Sequence, residues 1–198
     1  MARTVEFFFD VGSPASYLAW TQLPAICRDS GATLVLKPML LGAVFQATGN
    51  ASPVTVPAKG RYMNQDLARY AARYGVDYRV NPHFPILTLT LMRAIAGVQL
   101  QQPDRLQALV EASFRGIWVE ARNLNEPAEV AAVWQAAGFE PQALLALAHA
   151  AETKAALRAT TDEAVARGVF GAPTMFVGDT LFFGQDRLDW VREALASA

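Results

Sequence analysis

Apolar residues near the start of the chain form a short continuous run that then changes to a helical spacing. Phe7, Phe8, Phe9 and Val11 make up the run, which is typical of a strand buried on both faces. Apolar residues from Leu18 onwards recur at intervals of three and four. The pattern therefore predicts a strand that leads directly into a helix over residues 14–29.

The middle of the chain is predicted to be almost entirely helical. A second strand over residues 32–37 comes first, and the segment 76–85 is predicted to be irregular and held extended by its prolines. The remaining apolar spacing is helical, with Pro, Gly or polar residues at the boundaries. The predicted helices cover residues 40–47, 58–74, 88–100, 104–118, 127–138 and 141–166, the last with a break near Thr153.

The end of the chain changes back to strands. Residues 169–183 read as two short strands around a turn at Gly178-Asp179, and a closing helix follows from Gly184. The full order is that of an α/β thioredoxin-like fold with a large all-helical insertion. We expect a discontinuous thioredoxin-like domain of residues 1–41 and 168–198, a helical insertion subdomain of residues 42–167, and a cleft over Ser13 where they join.

Composition narrows the class of protein. The 198 residues carry a formal net charge of −1, which gives no electrostatic support for binding nucleic acid or a membrane surface. The single cysteine, Cys27, excludes an internal disulfide and a Cys-x-x-Cys redox centre, and is expected to be a core residue. Without a signal sequence or a membrane-spanning apolar run, the sequence predicts a cytoplasmic protein.

The turn between the first strand and the first helix is the strongest candidate for chemistry. Gly12 permits a sharp turn, Ser13 is a favourable N-cap, and Pro14 suits the first helical position. A thioredoxin fold usually carries Cys-x-x-Cys here, and this chain has serine at both cysteine positions. Ser13 either caps the helix only, or donates a hydrogen bond to the thiolate of a bound ligand and lowers the pKa of that thiol.

Two segments near the end of the chain are candidate partners for Ser13. Pro173 is predicted to be cis, with Ala172 offering its backbone N–H and C=O to an extended peptide; the alternative is that Pro173 only begins an edge strand. Gln185 and Asp186 open the last helix. Asp186 either caps that helix or holds the ammonium group of an amino-acid head, with Gln185 at its carboxylate.

Other candidates come from the helical stretch. Lys59 and Asn50 flank a Pro-containing loop, and Lys59 is either simply solvated or neutralises a ligand carboxylate. His83 is a weak candidate for the cleft and His149 is expected on a helix surface, so the sequence predicts no metal site. Trp118 is expected in the core.

Six segments of the chain together resemble the 2-hydroxychromene-2-carboxylate isomerases. That family is related to kappa-class glutathione transferases and, more distantly, to the DsbA oxidoreductases. The resemblance runs from the first strand to the last helix, and its segments near the C-terminus are the most specific. The segments are residues 9–14, 48–50, 56–62, 118–120, 168–174 and 183–188, which read FDVGSP, TGN, VPAKGRY, WVE, GVFGAPT and FGQDRL.

The resemblance implies an enzyme that uses glutathione as a cofactor and a small aromatic substrate. The implied reaction interconverts 2-hydroxychromene-2-carboxylate and trans-o-hydroxybenzylidenepyruvate by reversible thiolate addition, in the degradation of aromatic compounds such as naphthalene. It also implies a homodimer. By resemblance, glutathione would be held by Ser13 at its thiolate, Ala172 and Pro173 at its cysteinyl backbone, Gln185 and Asp186 at its γ-glutamyl head, and Asn50 and Lys59 at the rest of the peptide.

Three positions depart from the pattern expected of the family. Ala15 stands in place of a large aromatic residue, Leu87 in place of Asn, and Asn123 in place of Asp. All three are expected on the substrate side of the cleft. Two alternatives therefore stay open: a kappa-like glutathione transferase that conjugates another electrophile, and a thioredoxin-like binding module without catalytic activity.

Overall fold

The computed structural model describes residues 3–197, which form a four-stranded sheet packed against helices. The strands are β1 (Thr4–Phe9), β2 (Thr33–Pro38), β3 (Thr174–Val177) and β4 (Thr180–Phe183). Their order in the sheet is β2-β1-β3-β4. β1 is parallel to β2 and antiparallel to β3, and β4 forms a hairpin with β3. The two halves of the sheet thus come from opposite ends of the chain.

Most helices of the described chain lie between β2 and β3. The predicted break in the helix of residues 141–166 is present, but at Ala150, where an extended backbone separates two helices. The helices are α1 (Pro14–Asp29), α2 (Leu41–Thr48), α3 (Pro57–Tyr74), α4 (Leu89–Gln101), α5 (Leu106–Trp118), α6 (Pro127–Ala136), α7 (Pro141–His149), α8 (Ala151–Ala166) and α9 (Leu188–Ser197). This arrangement confirms the predicted α/β thioredoxin-like fold with helical additions.

The central strand β1 is buried on both faces, as its apolar run predicts. Phe7 and Phe9 point to one face, where their rings stack with centroids 5.0 Å apart and Phe9 meets Phe114 of α5. Phe8 points to the other face and packs edge-on against Phe176 of β3. All three β1 phenylalanines are fully buried. Because a strand this well covered cannot shift without exposing aromatic surface, the turn that follows it is held in place.

Two loops beside the site contain cis peptide bonds. The Ala172–Pro173 bond is cis, which confirms the prediction, and the Phe84–Pro85 bond is also cis, which the sequence did not predict.

Within residues 3–197, no helix is both long and apolar enough to cross a membrane. The same residues contain no cluster of three His, Cys, Asp or Glu side chains that could hold a metal ion.

Candidate functional site

A cleft of about 660 Å³ opens above the turn between β1 and α1. Its walls come from the start of α1, the loop after α2, the first half of α3, and the segments that flank the β3–β4 hairpin. Pro173 is buried behind Ala172 rather than in the wall. Of the seven residues expected from the sequence to hold glutathione, the other six all line this one cleft: Ser13, Asn50, Lys59, Ala172, Gln185 and Asp186.

Ser13 caps α1 and also spans to the segment before β3. Its Oγ accepts a hydrogen bond from the Ser16 N–H and donates one to the Ala172 carbonyl, each at 3.1 Å. The residue is 5% exposed, at the bottom of the cleft. The N-cap interpretation is therefore confirmed, and it does not exclude a second role. The same hydroxyl lies within hydrogen-bond distance of the backbone group predicted to bind a peptide.

A buried carboxylate beneath Ser13 is a feature that the sequence reasoning missed. Asp10 is 2% exposed and accepts hydrogen bonds from the Gly12 N–H at 2.9 Å, the Leu41 N–H at 2.9 Å and the Thr88 hydroxyl at 3.1 Å. These donors belong to the Ser13 turn, the start of α2 and the residue before α4. Asp10 thus ties together three parts of the chain that meet below the cleft.

Burial and hydrogen bonding act in opposite directions on the pKa of Asp10. Burial raises the pKa of the Asp10 carboxyl, while the bonds from Gly12, Leu41 and Thr88 favour its charged form. The turn is also closely packed, because a side chain at Gly12 would come within 2.8 Å of Thr88 Cγ2. The position of Ser13 is therefore fixed by contacts that a larger residue at Gly12 would disrupt.

Asn50 holds the loop after α2 against the opposite wall. α2 ends at Thr48 and is capped by Gly49, whose φ of 69° is left-handed, and Asn50 follows. The Asn50 amide donates to the Phe170 carbonyl at 2.8 Å and its oxygen accepts from the Ala51 N–H at 2.8 Å. Asn50 therefore positions this side of the cleft, in addition to whatever contact it makes with a ligand.

Lys59 lies in the first turn of α3, where a positive charge does not stabilise a helix. The N-terminus of α3 has no side-chain cap and no acidic residue in its first turn. A cation is unfavourable there because the helix dipole is positive at that end. Lys59 and the positive end of the α3 dipole instead form a positive region of the cleft wall. Such a region attracts a carboxylate.

Asp66 is a second residue that the sequence reasoning missed. It follows Lys59 by seven residues on α3, so the two share a helix face, and both line the cleft. Burial raises the pKa of the Tyr70 phenol, and the nearby charges of Asp186 and Asp66 add to that shift. Among residues 3–197, Asp66 makes a long ion pair with Arg69, at 3.8 Å. The spacing from Lys59 is the sequence signal that could have identified it.

Gln185 and Asp186 lie in a 3₁₀ turn, Gln185–Arg187, that precedes α9. The prediction that they open the last helix is therefore corrected: a short 3₁₀ turn contains them, and α9 begins after it at Leu188. The Gln185 carbonyl accepts from the Tyr74 hydroxyl at 2.6 Å, which ties this turn to α3. Asp186 pairs with Arg187 at 2.5 Å, and its side chain is 35% exposed. The cleft wall thus carries the cation of Lys59 and the carboxylates of Asp66 and Asp186, and the partner of Asp186, Arg187, does not line the cleft.

Several other predictions concern residues around the cleft. Ala15 lines it, whereas Leu87 and Asn123 do not, so only one of the three departures concerns the cleft wall. The side chain of Leu87 is 79% exposed, and its backbone N–H donates to the Asn125 side-chain oxygen at 2.8 Å. His83 is exposed and outside the cleft wall. Trp118 is buried, as predicted, and donates to the Val11 carbonyl at 2.8 Å.

Comparison with known proteins agrees with this geometry. The family model of the DSBA-like thioredoxin domain matches residues 4–196. The 2-hydroxychromene-2-carboxylate isomerase of Sphingobium xenophagum is 33% identical over 200 residues, which cover 98% of this chain and 99% of that protein. Human glutathione S-transferase kappa 1 is 30% identical over 98% of this chain and 92% of that protein.

Solved structures give the same result. A structure of 2-hydroxychromene-2-carboxylate isomerase superposes with a TM-score of 0.86 at 28% identity and covers 98% of this chain and 95% of that one. These relatives are enzymes by name, which confirms the prediction of an enzyme. The chain belongs to the DSBA-like thioredoxin domain family, in the group that contains the 2-hydroxychromene-2-carboxylate isomerases and the kappa-class glutathione transferases.

Proposed function

We propose that this chain is a glutathione-dependent cis–trans isomerase that interconverts 2-hydroxychromene-2-carboxylate and trans-o-hydroxybenzylidenepyruvate. The observation that carries the proposal is a cleft with a buried serine hydroxyl, the cation Lys59 at one end of its α3 wall, and two carboxylates, Asp66 farther along α3 and Asp186 in the turn after β4. Glutathione has the complementary groups: a thiol, two carboxylates and an ammonium. The isomerase relatives support the reaction.

The spacing of charges along α3 suits a ligand of tripeptide length. Lys59 and Asp66 are seven residues apart, and at 1.5 Å per residue this corresponds to about 10 Å along the helix axis. An extended tripeptide spans about 10 Å. Lys59 would hold the glycyl carboxylate, while Asp66 and Asp186 would hold the γ-glutamyl ammonium. The charged groups of the cleft therefore match those of glutathione in both sign and spacing.

Backbone pairing at Ala172 would orient the middle of the ligand. Ala172 lines the cleft and lies two residues before the ladder of β3 and β4, which begins at Thr174. Its peptide groups are therefore outside the sheet. A peptide laid against them would be bound as in strand addition, and this pairing depends on backbone rather than on side-chain chemistry.

Ser13 has one proton, and the ligand determines where that proton is directed. Its hydroxyl donates to the Ala172 carbonyl, and donation to a thiolate would replace that bond. The carbonyl is then free to accept an N–H from the ligand backbone. A charge-assisted hydrogen bond contributes about 1.5–3 kcal/mol, which lowers a thiol pKa by about one to two units.

When bound, glutathione supplies a thiolate that adds reversibly to a conjugated double bond, which becomes single and can rotate before the thiolate leaves. The chain keeps that thiolate ionised through Ser13 and the dipole of α1. No net change in glutathione follows from this cycle. Consumption of glutathione would instead indicate a kappa-like transferase. This is the second candidate function, and the similarity to human glutathione S-transferase kappa 1 supports it.

The setting of the reaction is also part of the proposal. We infer a homodimer in the cytoplasm that takes part in the degradation of aromatic compounds such as naphthalene. The family resemblance implies this setting, and the names of the isomerases of Sphingobium xenophagum and Pseudomonas putida support the aromatic substrate alone. Light scattering of the purified protein would test the homodimer. Fractionation of cells that express the native gene would test the cytoplasmic location.

The carboxylate region yields a quantitative prediction for glutathione binding. Asp186→Asn is expected to raise the Kd for glutathione about tenfold, because one charge-assisted contact with the ammonium is lost. Asp66→Asn is expected to act in the same direction. Isothermal calorimetry on protein stripped of endogenous glutathione measures both. Glutaryl-cysteinyl-glycine, which lacks the ammonium, should bind the wild type and both variants with the same Kd.

A matched control is available three residues along the chain. Asp189 pairs with Arg192 at 2.7 Å, its side chain is 71% exposed, and it does not line the cleft. Asp189→Asn should therefore leave the Kd unchanged. Equal losses for Asp189→Asn and Asp186→Asn would show a general charge effect and would contradict the assigned ammonium site.

A further inference from the structure

A second cavity, of about 380 Å³, lies beside the starts of α2 and α4 and against α8. It shares no wall residue with the cleft. Leu40 and Leu89 line it, and their neighbours in the chain, Leu41 and Thr88, are the residues that donate to Asp10. The cavity is thus near the cleft but distinct from it. We call it the basic cavity.

Positive charge predominates in the wall of the basic cavity. Arg93 of α4 and Lys154 and Arg158 of α8 line it, and Asp162 is the one carboxylate among the described wall residues. Asp162 lies 3.6 Å from Arg158. Within residues 3–197, the side chains of Arg93 and Lys154 have no hydrogen bond or ion pair. An unpaired surface lysine is ordinary, but Arg93 is half-buried, so its charge is partly withdrawn from water without a partner.

The start of α4 adds to this positive potential. Leu89, its first residue, lines the basic cavity, and Arg93 lies one turn further along. This end of α4 has neither a side-chain cap nor an acidic residue in its first turn, so the positive end of its dipole is not neutralised by the helix itself. The three cations of the wall repel one another and this helix end in the free protein. A bound anion would remove that repulsion.

Aliphatic side chains make up most of the remaining wall. Leu40, Ala43, Leu89 and Leu157 supply them, and none of the described wall residues is aromatic. The hydroxyl of Thr161 is already used, because it accepts from the Leu40 N–H at 3.0 Å and donates to the Leu157 carbonyl at 2.7 Å. The wall thus offers a ligand two kinds of contact, cations and apolar surface.

The geometry points to the basic cavity as a second binding site, for a small organic anion that has a carboxylate and a short aliphatic chain. The carboxylate would accept from Arg93, whose planar guanidinium offers two parallel donors, with Lys154 beside it. The chain would lie against the leucines. An anion without a chain would leave the leucines unused, and an uncharged chain would leave Arg93 unpaired. This inference goes beyond the proposed function and does not depend on it.

The test uses octanoate, with acetate and 1-octanol as matched probes that lack the chain or the charge. The backbone amide signal of Ala43 in nitrogen-15 NMR reports binding, since Ala43 lines the basic cavity and not the cleft. Octanoate should shift that signal saturably. Acetate and 1-octanol should each bind at least about tenfold more weakly, because burial of a few methylene groups, or one charge-assisted hydrogen bond, accounts for that factor.

Three variants assign the shift to the basic cavity. Arg93→Gln should raise the Kd for octanoate about tenfold, and Lys154→Gln should act in the same direction. Lys59→Gln is the matched control, because it removes a cation from the cleft wall and should leave the octanoate Kd within about twofold. The urea midpoint of Arg93→Gln without ligand should not fall, because the change relieves like-charge repulsion. A fall would show that Arg93 stabilises the fold and would contradict its assignment to a ligand.

Three further results would overturn the inference: an Ala43 signal that octanoate does not move, equal Kd values for octanoate and either matched probe, or an unchanged octanoate Kd in Arg93→Gln. If Arg93→Gln does not fold, the double variant Lys154→Gln with Arg158→Gln decides in its place, because both side chains are exposed. An unchanged Kd in that variant would also overturn it. The titrations contain neither glutathione nor the chromene substrate, so a failure here and a failure of the proposed function can be told apart.

Discussion

Replacement of Ser13 by alanine is expected to slow isomerisation by about one to two orders of magnitude, with the Kd for glutathione changed less than about threefold. The variant loses a charge-assisted bond to the thiolate, which is made fully only when that sulfur is ionised. The pKa of the bound thiol should rise by about one to two units. Stopped-flow rates and a pH titration of thiolate ultraviolet absorbance measure the two effects.

Ser16→Ala is the matched control for this prediction. The Ser16 hydroxyl is fully buried and has no hydrogen-bond partner within residues 3–197, and it does not line the cleft. Its removal should leave both rate and thiol pKa unchanged. Ser13→Ala also removes the cap of α1 and should lower the free energy of unfolding by about 1 kcal/mol. A Ser13→Ala protein with the wild-type rate would reduce Ser13 to a helix cap.

Asp10→Ala is expected to give the largest loss of stability, about 3 kcal/mol or more of the free energy of unfolding. Its removal leaves the Gly12 and Leu41 N–H groups and the Thr88 hydroxyl without their acceptor below the cleft. Each unsatisfied buried donor costs about 1–3 kcal/mol. Urea unfolding followed by circular dichroism measures the change.

Two further variants calibrate the Asp10 result. Thr88→Val removes one of the three bonds and should cost about 1 kcal/mol. Asp29→Ala lies on the surface with a side chain 72% exposed, so it should change stability by less than about 0.5 kcal/mol. A loss for Asp10→Ala no greater than that for Thr88→Val would show that Asp10 does not join the three segments.

The architecture around Ser13 could be predicted because its signals are local. A run of phenylalanines, a glycine turn, an N-cap serine and a proline follow one another directly, and each restricts the backbone in the same direction. The hairpin of β3 and β4 is marked in the same way by its Gly178-Asp179 turn. Local signals also set the approximate helix boundaries, although the break at Ala150 has no Pro or Gly to mark it.

The interactions below and beside the cleft could not be predicted because their partners are distant in sequence. Asp10 joins segments of the chain only because it accepts hydrogen bonds from Leu41 and Thr88, which are distant from it in sequence. The aromatic cluster beside the cleft combines Tyr78 and Phe84 from an irregular segment with Trp118 of α5. No local pattern fixes the direction of a side chain in such a segment. The same limit explains the error at Leu87, which points outward.

The most direct measurement is the absorbance change of 2-hydroxychromene-2-carboxylate on addition of purified protein, stripped of endogenous glutathione. With added glutathione, the account predicts fast equilibration to trans-o-hydroxybenzylidenepyruvate, no reaction above background without it, and an unchanged concentration of free thiol at the end. Glutathione binding without isomerisation, or loss of free thiol in step with the reaction, would contradict the isomerase and favour a conjugating transferase. Absence of both binding and reaction would leave a thioredoxin-like binding module.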